Sequence, residues 1–409
     1  MTNAASPRRL RVLVLSWNYP TLAAPQRGLW VERMCDSMSA LADVEVIVPT
    51  PWVPPFTPLA SLSRFRQVPL REQRGQVNVH CPRVLGSIEY HTHGFDARLA
   101  RDAVLSTARA LHRAQPFDLI HAHFIYPDGV VAAQVGRALR IPVMTTEHAF
   151  WTPWLVEQPR QRRQVDDNLS GVRLVTSVSR FLEQDVARFI AGRTATAVLP
   201  NVVDDVTFSP GSETRDADEI LYVGLVRGFK RVDVLLRGFA EARRVRPALR
   251  LRILSANAFR AYGSNRRGML SLIEELGLTG AVTVVNGATP AEVAAAMRRA
   301  AFVAVSSTRR ETFCSVAAEA LACGTPLVIT RCGGPEEFVT PDDGVMVEAD
   351  DPVAFGRGIL QAMEGRDRFD PAALRRRIVA RFGRVAWRER ALSLYTDLIT
   401  GQSSHAHAR

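Results

Sequence analysis

The 409-residue chain has no apolar run approaching the roughly 18 residues that cross a bilayer as a helix, so it offers no membrane span. Its first residues, "MTNAASPRRLRVLVLSW", lack the apolar core and small-residue cleavage site of a secretory signal. Cysteine is sparse and odd in number, five in all (Cys35, Cys81, Cys314, Cys323, Cys332), without the spacing of a zinc site. A reduced, cytoplasmic protein fits these absences. No basic helix and no aromatic-interleaved RNA motif is present, so nucleic acid is not the expected partner despite a net charge of +11. That charge suits an anionic membrane surface, where each basic residue adds about 1 kcal/mol of attraction. Arginine-rich, alanine-rich usage by a biased genome is the alternative source.

What the chain does have is a repeated alternation of short β-branched runs with helical patterns. "LRVLVLSW" (10–17) reads as a strand, and Val31, Met34, Cys35, Met38 and Leu41 then fall at helical spacing. "VEVIVP" (44–49), "FDLIHAH" (117–123), "PVMTTEH" (142–148) and "VRLVTSVS" (172–179) follow as strands. After the polar stretch 199–219, which reads as a linker, the pattern restarts with "ILYVG", "LRLRILSA", "AVTVVNG", "FVAVSS" and "PLVIT". Continuous apolar strands joined by helices mean parallel sheets covered on both faces. The expected architecture is α/β, two doubly wound Rossmann-like domains over 1–200 and 201–383, with ligands at the carboxyl ends of strands in a cleft. A C-terminal helix (384–400) is expected to pack back on the first domain, and 401–409 to form a loose tail.

Residues 49–76 interrupt this pattern. They mix prolines with Trp52, Phe56, Leu59, Leu62 and Phe65, and with Arg64, Arg66, Arg71 and Arg74. Two readings stand: a long surface loop, or a lobe facing a membrane or an acceptor.

The stretch "RRETFCSVAAEALACGTPLVIT" (309–330) carries the chemistry. A helix is expected to start near Cys314 or Ser315 and to end at Gly324. Its free N-terminal amides suit a phosphate. Glu311 and Glu319 bracket that start, about 12 Å apart if eight residues rise helically, a span that suits hydroxyls at the two ends of a nucleotide-sugar. A solvated helix face is the plain alternative.

These residues resemble the E-x(7)-E signature of family-4 retaining glycosyltransferases, which have the two-domain GT-B fold. "YVGLVRGFKRVDVLL", "DLIHAHFIYPDGVVAAQVGRALRIPVMTTEHAF", "LPNVVD" and "CGGPEEFV" extend the likeness over nearly the whole chain. The resemblance implies that Lys230 neutralises the diphosphate of a nucleotide-sugar donor and that Glu319 holds the ribose. It sets Glu311 beside the donor sugar, and gives the amides of Phe313, Cys314 and Ser315 to sugar and phosphate. Gly28 would let backbone approach the diphosphate, and His148 would reach the sugar's far side. It also implies no cofactor and no metal. His121 and His123 share a strand face, but no third metal ligand suggests itself, so structural or acceptor-side roles are expected.

Three departures stand out. Leu225 replaces an arginine usual in the family, a charge that Arg227 or Arg231 could restore. Thr312 and Cys314 stand where glycines are frequent, and Val202 replaces another. The function these residues imply is transfer of a sugar to a hydroxyl of a lipid-linked or polysaccharide acceptor, at the inner face of a cell membrane. An epimerase or hydrolase of the same fold, or a non-catalytic nucleotide-sugar-binding protein, are the alternatives.

Overall fold

The computed structural model describes residues 8–55, 63–85, 97–150, 157–226, 228–255 and 266–401. The chain divides into two compact units, Met1–Val202 with Trp387–Arg409, and Val203–Ala386.

In the first unit the strands are β1 (Leu10–Leu15), β2 (Ala42–Ile47), β3 (Thr50–Pro51), β4 (Arg71–Arg74) and β5 (Val77–His80). They continue with β6 (Arg83–Val84), β7 (Leu119–His123), β8 (Val143–Glu147), β9 (Leu174–Ser177) and β10 (Ala195–Val198). Among the described residues, eight of them form one sheet in the order β10-β9-β8-β7-β1-β2-β5-β4. Its pairings are parallel except β4 against β5, and β3 pairs separately with β6. Fully buried runs such as LIHAH and VMTTE fit a sheet covered on both faces.

The second unit continues with β11 (Glu219–Val223), β12 (Arg250–Ser255), β13 (Val282–Asn286), β14 (Phe302–Val305), β15 (Leu327–Thr330) and β16 (Gly344–Val347). They form a parallel sheet in the order β13-β12-β11-β14-β15-β16. The α/β, doubly wound reading of both halves therefore holds.

Several local expectations are corrected. The helix after β1 runs Leu29–Met38 and stops at Ser39, so Leu41 lies beyond it and is 37% exposed. The 199–219 stretch is packed rather than a free linker. Leu199, Val202, Val203 and Phe208 are buried, and the unit boundary falls inside it. The 49–76 insertion is not simply a loop: Arg71–Arg74 is an edge strand, and Phe65 and Val68 are buried in the first core. Phe56, Leu59 and Leu62 lie outside the described residues.

The last helix, Arg384–Thr400, buries Trp387, Ala391, Leu394 and Tyr395, spaced to form one helical stripe. All four join the core cluster of the first unit with Val12, Val44 and Leu119. The Trp387 indole N–H donates to the Pro200 carbonyl at 2.8 Å, which satisfies its one polar atom.

Candidate active site

In the second sheet β11 lies between β12 and β14, so connections leave it in both directions. Such a switch point opens a crevice at the carboxyl ends of the strands. The loop after β11 carries Lys230, and the loop after β14 carries Glu311. Lys230 Nζ donates to Glu311 Oε1 at 2.5 Å, and Ser307 Oγ donates to the same oxygen at 2.5 Å. The Lys230 turn is also stitched to the neighbouring loop through backbone. Its carbonyl accepts from Ser306 Oγ at 2.9 Å, and the Phe229 carbonyl accepts from Thr308 N at 2.8 Å.

The lysine side chain is 21% exposed and the glutamate 8%. Burial alone would push the ammonium's pKa down, but the Glu311 charge, helped by Cys314 and Tyr222, pushes it above the usual lysine range. Lys230 is also the only lysine in the chain, a signal in the composition that reading for motifs passed over.

Glu311 is fixed from both sides of its backbone. Its N–H donates to the Cys332 carbonyl at 2.9 Å, and its carbonyl accepts from Gly334 N at 2.8 Å. Gly334 is needed there, because a Cβ would fall 2.2 Å from the Thr312 oxygen. The helix begins only at Ser315, with Cys314 as its N-cap in the left-handed region at φ 64. The roughly 12 Å spacing drawn from helical rise therefore does not apply: residues 311–314 are loop, and only Ser315 onward climbs.

Glu319 lies about one turn inside the helix and is 6% exposed. Phe313 turns its ring inward, with centroids 5.5 Å from Phe338 and 5.1 Å from Phe382, so its backbone is what it can offer a ligand. Arg231 is engaged elsewhere, by Asp233 at 2.9 Å and by Asp350. Arg227 lies outside the described residues.

In the first unit Gly28 caps the helix Leu29–Met38 at φ 65, and a Cβ there would sit 1.9 Å from the Asn18 oxygen. The crowding comes from the chain's own loop after β1, so glycine is dictated by local backbone. His148 follows β8, is 8% exposed, and lies 2.9 Å through Nε2 from His123 Nδ1. The preceding Glu147 carboxylate accepts from the backbone N–H groups of Ile125 at 3.0 Å, His148 at 2.9 Å and Ala149 at 3.1 Å. It fixes the start of the segment that carries His148. Burial nevertheless pushes its pKa up to about 7, against the pull of those three donors. Ser307 and Glu147 were not singled out from sequence, because only the fold brings them to these partners; His123 was, but not its contact with His148.

Comparison with known proteins assigns each half. The glycosyl transferases group 1 model matches residues 207–380, and the Glycosyltransferase Family 4 model matches residues 30–206. A D-inositol 3-phosphate glycosyltransferase of Frankia alni is 30% identical over 290 residues, 65% of this chain and 71% of that protein. The chain belongs to the family-4 glycosyltransferases. The family-4 chain is also similar to the D-inositol 3-phosphate glycosyltransferase of Segniliparus rotundus, 29% identical over 68% of this chain and 64% of that one. It thus spans a little under two thirds of that relative's length.

Among solved structures, sucrose-phosphate synthase of Thermosynechococcus elongatus is similar in fold, with TM-score 0.75 and 21% identity over 96% of this chain and 100% of that chain. Anabaena HepE, solved in complex with UDP-glucose, has TM-score 0.68 and 18% identity over 95% and 100% of the two chains. At such identities the likeness shows the GT-B fold.

Proposed function

We propose that this glycosyltransferase is a retaining enzyme that moves a sugar from a nucleoside diphosphate sugar to a hydroxyl of a lipid-linked or polysaccharide acceptor. The observation that carries the reading is the Lys230–Glu311 pair, held at a strand-end switch point beside the start of the helix Ser315–Ala322. A cation next to unpaired helix amides stabilises negative charge that grows on a departing diphosphate. The HepE complex with UDP-glucose supports a donor of this class.

The step is a front-face substitution. The bond from the anomeric carbon to the diphosphate oxygen breaks, and the bond to the acceptor oxygen forms on the same face. The acceptor proton passes to the departing diphosphate. Lys230 and the amides of Phe313, Cys314 and Ser315 hold the leaving charge, Glu319 the ribose, and Glu311 the sugar. Gly28 and His148 keep the donor-side roles that the resemblance assigns them. No metal or further cofactor takes part.

Replacing Lys230 with Ala should lower turnover by about 100-fold or more, the scale of losing one preorganised electrostatic contact, while cooperative unfolding is retained. Near-normal turnover would sink the assignment. Donor consumption that ignores the acceptor would favour an epimerase or hydrolase. A thermal-shift screen against UDP-, GDP- and ADP-sugars would identify the donor, since ligand at 100 times its Kd adds about 2.7 kcal/mol of stability.

The acceptor reading rests on the first unit's surface. Trp52 is 51% exposed, Leu70 62% and Leu85 63%, and Arg71, next to Leu70 in the chain, is exposed too. Among the described residues no helix is long and apolar enough to cross a membrane. Peripheral attachment to the cytoplasmic face, through these side chains, is the arrangement we favour.

A further inference from the structure

The first unit holds a hollow that the transfer chemistry above leaves unused. Trp17 and Arg27 from the loop after β1, Thr50 and Pro51 of β3, Phe65, and Val84 of β6 line it. It lies past the carboxyl ends of β1 and β2, where sheets of this kind take their ligands. β2 sits on the side of β1 away from β7 and β8. The hollow therefore stands two to three strand spacings from His148, roughly 12 Å.

Its walls are fixed by backbone. The Trp17 N–H donates to the buried Asp128 Oδ1 at 2.8 Å. Thr50 N donates to the Pro82 carbonyl at 2.9 Å, and Trp52 N to the Val84 carbonyl at 2.8 Å. The Thr50 hydroxyl is already used, since its Oγ1 donates to the Val48 carbonyl at 3.0 Å. What remains is a largely aromatic and aliphatic lining with one charged group, Arg27, and no carboxylate. Arg27 is half-buried, and among the described residues its side chain has neither an ion-pair nor a hydrogen-bond partner. By contrast Arg74 is paired with Glu32, and Arg66 and Arg83 with the carbonyls of Pro54 and Val68. A guanidinium partly out of water with no counter-charge is costly, and its planar fork matches two oxygens of a phosphate. The apolar wall runs on to the outside. Pro51 is followed by the exposed Trp52, and Val84 by the exposed Leu85, the side chains through which we favour membrane attachment.

We propose that this hollow binds the phosphate that joins the acceptor to its lipid, with the phosphate on Arg27 and the first carbons of the chain against Trp17 and Phe65. The acceptor's sugar then lies between Arg27 and His148, and the lipid leaves past Trp52 and Leu85 toward the bilayer. The inference rests on the reading of this chain as a transferase with a lipid-linked acceptor, and it gives that acceptor a binding residue.

The test measures binding by calorimetry on the full-length protein, with farnesyl phosphate below its micellar concentration as the probe. The wild type should bind it about tenfold or more tighter than farnesol, which lacks the anion, and than glucose 6-phosphate, which lacks the chain. Arg27→Gln should weaken farnesyl phosphate about tenfold or more and leave UDP affinity within about twofold. Arg27→Lys, which keeps the charge but not the fork, should fall between. Unchanged binding in Arg27→Gln, or farnesol bound as tightly as its phosphate, would overturn the proposal. Equal binding of glucose 6-phosphate would do the same, because the site would then read a soluble phosphate and no lipid. If Arg27→Gln weakens UDP as much as farnesyl phosphate, Arg27 serves the donor and the proposal falls. Titrating UDP into the wild type keeps the two levels apart. UDP bound without farnesyl phosphate removes only the lipid-phosphate site, whereas farnesyl phosphate bound without UDP removes the donor reading.

Discussion

Lys230 and Glu311, 81 residues apart in sequence, meet at 2.5 Å where two neighbouring strands of the second sheet end. Each is costly to hold there alone. Burial disfavours the lone ammonium, and the glutamate side chain is only 8% exposed. Together they keep a cation poised in a site with little water, which is what a departing diphosphate needs.

Because Lys230 is the only lysine, amine-reactive reagents report on it alone, apart from the α-amino group. Glu311 holds its pKa up, so labelling in the wild type should be slow near pH 8. In Glu311→Gln the largest upward influence is lost, the pKa falls, and labelling should quicken severalfold. UDP should slow labelling in the wild type. Equal rates in the two proteins would mean that the pair is not formed in solution. The same raised pKa makes the pair's stability contribution fully present below the unfolded lysine value of about 10.4, and lost as pH rises through the folded one.

Glu147 makes the opposite kind of prediction. Its folded pKa, pushed up to about 7, lies above that of an unfolded glutamate. Over that interval the folded state binds the extra proton, so this group makes the fold less stable as pH rises, with no further change above about 7. The Glu147 carboxyl accepts from the amides of Ile125, His148 and Ala149. Where these amides exchange through an opening that frees Glu147, their protection, corrected for intrinsic rates, should rise as pH falls from about 8 to 6. Constant protection would show a carboxylate that stays ionised.

Gly28→Ala should be among the most damaging single-methyl changes in the chain. The added Cβ would need to clear the Asn18 oxygen at 1.9 Å while φ stays at 65. We expect a loss of about 2 kcal/mol or more of stability, read by denaturant unfolding. A melting point within a degree of wild type would show that the loop after β1 moves aside at little cost.

Membrane attachment should depend on the exposed face of the insertion. Arg74 is committed to Glu32 at 2.7 Å, and Arg66 donates to the Pro54 carbonyl at 3.1 Å, so these two hold structure. Trp52→Ala combined with Arg64→Gln and Arg71→Gln should weaken binding to vesicles containing phosphatidylserine. Binding should also fall with salt, since exposed charges are screened within about 10 Å at 0.1 M ionic strength. Donor hydrolysis by water should survive in the variant. Unchanged vesicle binding would leave the arginines as compositional bias.

Much of this molecule follows from local pattern. The runs that became β1, β7, β8 and β14 are short, apolar and rich in β-branched residues, which dictates buried parallel strands wherever the chain closes. The helix Ser315–Ala322 was legible from its small, strong helix formers and the glycine that ends it. The edge strand Arg71–Arg74 was not, because "REQR" has no apolar face and exists through its ladder to β5. Nor could sequence place Phe65 in the core, or bind Arg231 to Asp233 and Asp350. Sequence alone set which residues are apolar and where the periodicity changes, hence the fold class and the family. Only the tertiary structure decided the side-chain pairings: Lys230 with Glu311, His123 with His148, Tyr395 with His121. Those depend on strand order and register, which distant parts of the chain settle together by burying their surfaces, and no local window of residues records the result.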